Sequence, residues 1–172
     1  MRWRGAMLDI SRHYFDATFI KKTISSLAIF DYNTLHLHLT DDQGWRLESK
    51  VFPLLHEVGS IRKQSQNNHG LLEPTYDGKQ HSGYLTHNDV REIVSHAHSL
   101  GMQVVPEINI PGHTGALLTA YPQFGVNKAT VEVSGRWGIS DYLLRPFPET
   151  FEFLTKVFEE VASIFPSEYI HV

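Results

Sequence analysis

Residues 35–45 read LHLHLTDDQGW, and the rest of the chain is organised around them. Leu35, Leu37 and Leu39 alternate with Thr34, His36, His38 and Thr40, the period of a strand with one apolar face and one imidazole and hydroxyl face. The stretch ends in two adjacent carboxylates, Asp41 and Asp42, then a Gln43-Gly44 turn signal and Trp45-Arg46. A strand whose polar face runs into acids at its C-terminal end is what an α/β barrel active site requires, because there the βα loops carry the chemistry. Taken alone, His36 and His38 also fit hydrogen-bonded barrel-lining residues, and Asp42 also fits a turn cap.

Upstream, Ala6 to Ile10 reads as a short buried strand. Asp16 is placed to cap a helix over Ala17 to Phe30, with Phe19, Ile20, Ile24, Leu27 and Ala28 on one stripe. Downstream, a long loop region runs from Gln43 to Gly83, interrupted by a short amphipathic piece at Phe52 to Val58; long loops in compact domains are usually functional or disordered. Thr86 and Asp89 predict a capping-box start for a helix whose stripe is Val90, Ile93, Val94, Ala97 and Leu100, and Gly101 is its stop. Met102 to Ile108 predicts a third strand, Gly115 to Tyr121 a short helix and Glu149 to Ile164 a long one. Tyr169 to Val172 predicts a fourth strand.

The order is thus β-α-β-α-β-α-β with short apolar strands, as in a parallel sheet with covered faces. A doubly wound sheet and part of a (β/α)8 barrel both fit. No Gly-rich phosphate loop follows any strand, which weakens a nucleotide-binding version, and the polar clusters after the first three strands favour the barrel. Four strands do not close one, since barrels take about 250 residues.

The chain is 172 residues, 41% hydrophobic and 20% charged, which suits one domain with a core and gives no run long enough to span a membrane. A formal charge of −4 with no basic block argues against nucleic acid. Zero cysteines exclude disulfides and thiolate metal sites. The first residues, MRWRGAMLDI, hold no apolar signal segment, and the compartment stays open.

Three clusters are expected to converge at the C-terminal face: Arg12-His13, Asp41-Asp42, and Glu107 with Asn109 and His113. Arginine is a fixed fork of donors suited to hydroxyl pairs or carboxylates, and a carboxylate beside an imidazole fixes its tautomer. Trp45, Trp137, Tyr76 and Tyr142 offer flat faces for a sugar. His36-x-His38 with Asp41 and His113 also matches the ligand inventory of a zinc-dependent barrel hydrolase, although amidohydrolases place such a pair on the first strand.

Four ordered stretches, RGAMLDISRHYF, LHLHLTDDQGWRLE, VVPEINIPGHT and FPSEYIHV, together with YDGKQHSGYLTHNDVREIVSHA and PETFEFL between them, resemble glycoside hydrolase family 20, the β-N-acetylhexosaminidases. The resemblance spans nearly the whole chain. It implies a (β/α)8 (TIM) barrel of which residues 1–172 are the N-terminal half, about four βα units. It also implies removal of terminal N-acetylglucosamine or N-acetylgalactosamine from a glycan by a retaining mechanism in which the substrate's own acetamide is the nucleophile. No cofactor or metal is implied, and the expected partners are an N-acetylhexosamine glycan and the rest of the barrel or a second copy.

By position, the resemblance implies that Arg12 holds hydroxyls of the non-reducing sugar and that Asp41 pairs with His113, which leans on the general acid. Asp42 and Glu107 become supports. Asn109 stands where the family more often has aspartate in its PEIDxPGH motif. The family's general acid and acetamide-orienting aspartate lie in a GGDE motif after the YIH(I/V) strand, so they are expected beyond Val172.

Overall fold

In the computed structural model, residues 2–69, 72–127 and 132–172 are described. Three parallel strands, β1 (Gly5–Asp9), β2 (Thr34–His38) and β5 (Gln103–Glu107), form one sheet in the order β1-β2-β5. The register sets Met7 beside His36 and His36 beside Val105, then Asp9 beside His38 and His38 beside Glu107. Two short strands, β3 (Thr40–Asp41) and β4 (Gly44–Trp45), fold the DDQG turn into an antiparallel hairpin at the C-terminal edge of β2.

Period two divides the sheet. Leu35, Leu37 and Leu39 are fully buried in one cluster with Ile20 and Ile24 of helix α1 (Ala17–Ile29) and Val90 and Ile93 of helix α3 (His87–Ser99). The opposite face carries Met7, Asp9, His36, His38, Val105 and Glu107, and Met7 is 58% exposed. A doubly wound sheet covers both faces with helices, whereas a barrel strand turns one face inward; the sheet follows the barrel pattern and is open.

Local signals act as the sequence predicts. Asp16 accepts the Phe19 amide at 2.8 Å, and Thr86 and Asp89 form a reciprocal capping box at the start of α3. Gly101, at φ 72°, closes α3 with amides of Gly101 and Met102 bound to carbonyls of His98 and Ala97. The amphipathic piece shortens to α2 (Leu54–Glu57); α4 (Gly115–Ala120) and α5 (Pro148–Ile164) complete the chain.

One expectation needs correction. The fourth strand is a single parallel bridge between Glu107 and His171, with the Ile108 amide on the His171 carbonyl and the His171 amide on the Pro106 carbonyl. Backbone N and C=O of a strand residue point to the same side, so the next rung toward residue 169 would need a donor from position 106. Proline has none.

Among the described residues β1 pairs only with β2, and beside the open face Trp3, Tyr169 and Val172 are about half exposed. The isolated chain is therefore expected to associate through its strand edges and this face. Light scattering on a size-exclusion column should give masses above 19.7 kDa. A monodisperse monomer with a cooperative thermal transition would contradict this.

Candidate active site

Asp41, side chain fully buried at the β2 edge, is the hub. Its Oδ2 accepts from Arg12 Nη2 at 2.7 Å and Asn109 Nδ2 at 3.2 Å and lies 3.0 Å from His38 Nε2. Its Oδ1 takes the Asp42 amide at 2.7 Å and lies 3.2 Å from His113 Nδ1. Burial pushes the Asp41 pKa up, but the His38 hydrogen bond, the Arg12 charge, the Asp42 amide and His113 outweigh it and hold the carboxyl below its ordinary value. Asp41 is an anion with nearly every lone pair engaged.

Arg12 reaches it from the turn after β1. Asp9 Oδ1 accepts the Ser11 and Arg12 amides and its Oδ2 takes Arg12 Nη1 at 2.9 Å, while Nε donates to Gln43 Oε1 at 2.9 Å. Three of five guanidinium N–H groups are thus spent on fixing the fork, and the head is about a third exposed. His13, which precedes Tyr14, leaves the cluster and packs against Phe15 and His81 instead.

Asp42 looks the other way. Its Oδ1 accepts the Gly115 amide at the start of α4, and its Oδ2 accepts Ser140 Oγ at 2.8 Å and lies 3.1 Å from His113 Nδ1. A Cβ at position 115 would sit 2.9 Å from Asp42 Oδ1, so glycine lets α4 close on the carboxylate. His113 sits at φ 53°, a left-handed conformation unusual for a side-chain-bearing residue, and its Nδ1 faces both aspartates. With Nδ1 as donor, Nε2 is the nitrogen left for a further partner.

The imidazoles of β2 meet at Glu107 Oε2 but have different second neighbours. His36 Nε2 meets Glu107 Oε2 at 2.5 Å and its ring lies against His171, whereas His38 bridges Glu107 and Asp41. The zinc set weighed from the sequence (His36, His38, Asp41, His113) is therefore not one cluster. The close donor groups among the described residues are His36-Glu107-His171 and Asp41-Asp42-His113.

Of the four aromatic candidates, Trp45 is buried, its Nε1 donating to the Leu47 carbonyl; it is core and offers no face to a sugar. Trp137 and Tyr142 line a cleft of about 740 Å³ beside Asp42, together with Ser134, Arg136 and Ser140, and Tyr76 lines a neighbouring one with Tyr142. Asp9, Gln43 and Ser140 escaped the sequence reading. Asp9 alternates in phase with Met7 toward the polar face, a usable signal. Gln43 reads only as a turn residue, and Ser140 arrives from 98 residues away.

Known proteins share this sequence and fold. The sequence profile described as "Glycosyl hydrolase family 20, catalytic domain" matches residues 1–172. The beta-hexosaminidase of Vibrio furnissii is 38% identical over 175 residues, covering 99% of this chain and 28% of that protein. Among solved structures, the GH20 beta-N-acetylhexosaminidase of Streptomyces coelicolor A3(2) superposes with TM-score 0.86 at 34% identity, covering 99% of this chain and 32% of that one. A mutant Streptomyces plicatus beta-hexosaminidase in complex with its product GlcNAc gives 0.85 at 34% identity, with the same coverage. The chain spans about a third or less of the length of these relatives. With an open parallel sheet that overlays part of their barrels and a carboxylate-imidazole cluster at its C-terminal edge, it belongs to glycosyl hydrolase family 20.

Proposed function

We propose that the 172 residues are the N-terminal half, about four βα units with the fourth strand reduced to its bridge, of a β-N-acetylhexosaminidase barrel and supply its sugar-binding arginine and its Asp41–His113 pair, while the general acid lies outside them. The observation that carries this is the geometry around Asp41: Arg12 at 2.7 Å, itself held by Asp9 and Gln43, and His113 at 3.2 Å, which also meets Asp42. Arg12 is a fixed, partly exposed fork whose second Nη2 N–H is outside these contacts, which suits a sugar hydroxyl. Asp42 and Glu107 act as supports, and Asn109 donates to Asp41, a contact an ionised aspartate there could not make. The glycan is an N-acetylhexosaminide, as the GlcNAc complex of the Streptomyces plicatus relative supports.

The missing acid has a physical basis. A general acid near neutral pH needs a raised pKa. Glu107 is pushed up by burial yet driven down to about 2 by the hydrogen bonds and charges of His38 and His36, and Asp41 is lowered as well. Both are fixed anions.

The chain alone is therefore expected to release no phenol from an aryl N-acetyl-β-glucosaminide above a buffer blank, and a version extended through the remaining strands should turn it over. Robust turnover by the short chain, with contaminating enzyme excluded, would refute the placement of the acid. Binding of N-acetylglucosamine by both versions with turnover by neither would favour a carbohydrate-binding role instead.

A further inference from the structure

The sequence offers His38 as a barrel-lining residue, and the proposed reaction gives it no task. It is nevertheless among the most enclosed polar groups in the chain, 4% exposed, and the groups facing it come from four elements. Glu107 of β5 presents Oε2 to His38 Nδ1 at 2.8 Å, and Asp41 of β3 presents Oδ2 to Nε2 at 3.0 Å. Asp9 of β1 lies beside it in register, and Arg12 Nη1 is 3.2 Å from Nε2. His36 shares the Glu107 oxygen, His171 approaches that oxygen to 3.7 Å, and His113 faces Asp41 from the far side.

Two kinds of proton arrangement compete, neutral and doubly protonated. A neutral imidazole with its proton on Nε2 donates to Asp41 but turns its Nδ1 lone pair toward the Glu107 carboxylate. A neutral imidazole with its proton on Nδ1 accepts from Arg12 at Nε2, but it then turns a lone pair toward the Asp41 carboxylate. An imidazolium donates to both carboxylates and leaves the Arg12 guanidinium as a neighbouring cation that shares Asp41 through Nη2. Two buried anions on opposite sides of one ring favour the second arrangement.

We infer that His38 is a positioning residue of this site: an imidazolium wedged between Glu107 and Asp41, which fixes the face that Asp41 turns to Arg12 and His113. For catalysis, the inference rests on the hexosaminidase reading above; the proton arrangement itself does not. Burial lowers the His38 pKa, but the hydrogen bonds to Asp41 and Glu107 and the charges of Glu107 and Asp9 raise it to about 9, from an ordinary 6.5. The folded value lies above the unfolded one. The stabilisation is therefore complete below pH 6.5 and is lost as pH rises through about 9.

The test is imidazole ¹⁵N NMR from pH 5 to 10 on the chain, and on the version extended through the remaining strands if the chain associates. Both His38 nitrogens are expected to be protonated at pH 7.5 with a midpoint near 9, and Glu107→Gln should lower that midpoint by at least one unit, a tenfold change in proton affinity. A His38 that is neutral at pH 7.5, or a midpoint that ignores Glu107→Gln, overturns the inference. In the extended version, His38→Gln keeps one donor but no charge. It should lower kcat at least tenfold with KM little changed and move the acid limb of the pH profile upward, as Asp41 loses its cation. An unshifted limb overturns the positioning role. No turnover by any extended version, with His38 still titrating near 9, would instead count against the hexosaminidase reading.

Discussion

Asp41→Asn in a version of the chain extended through the remaining strands should reduce kcat on an aryl N-acetyl-β-glucosaminide by about 10²–10⁴-fold. His113→Ala should do the same. Asp41 is an anion facing three cationic or potentially cationic groups, Arg12, His38 and His113. An amide there is nearly isosteric but neutral, and its NH₂ group has to meet either the Arg12 and His38 donors or the His113 nitrogen. The tautomer of His113 is no longer fixed, and the proton it would hold in place for the acid is no longer stabilised. Since the two residues act as one unit, the double variant should be little worse than either single one. A purely additive loss, or a change confined to KM, would show that the pair binds sugar without taking part in proton transfer. Far-ultraviolet circular dichroism on each variant separates this from unfolding.

Arg46→Met should cost about 3 kcal/mol or more of stability, because the carbonyls of Ser11, Ser60 and Gly83 lose donors worth roughly 1–3 kcal/mol each when left unsatisfied, while the Gln43 carbonyl keeps Arg62 Nη1. Arg46 is fully buried. Its five N–H groups go to the carbonyls of Ser11, Gln43, Ser60 and Gly83, with Ser11 taking two. None of these partners is a carboxylate. Burial and the neighbouring Arg62 push its pKa down to about 9, so the guanidinium stays charged at neutral pH. It ties the turn that carries Arg12 to the turn that carries Gln43, and both to the long loop. Arg46→Lys keeps the charge but only three donors, and should lose less than the methionine variant. The fluorescence of buried Trp45 during urea unfolding reports both in the extended version. A midpoint unmoved by Arg46→Met would show that water replaces the guanidinium at those carbonyls.

The sequence by itself determined which face of each strand is apolar, where α1 and α3 start and stop, and which residues stand at the strand ends. These are local matters: side-chain period, capping chemistry and the need for glycine at a left-handed position. They were enough to bring Arg12, Asp41, Asp42, Asn109 and His113 together on one edge, since parallel strands of matched length deliver their C-terminal residues to the same place. Glu107 was expected at that edge too, and it lies one layer below, between His36 and His38. The tertiary structure alone decided which oxygen meets which donor. Asp41 and Asp42 are neighbours in sequence but turn to different partners, because α4 brings an amide to one while Arg12 and His38 surround the other. It also moved Trp45 from a candidate sugar face into the interior, with Arg46 buried beside it, where the hairpin of β3 and β4 folds them under the loops. And it reduced the last strand to one bridge, since whether a proline's missing donor matters depends on which neighbour that side of the strand faces.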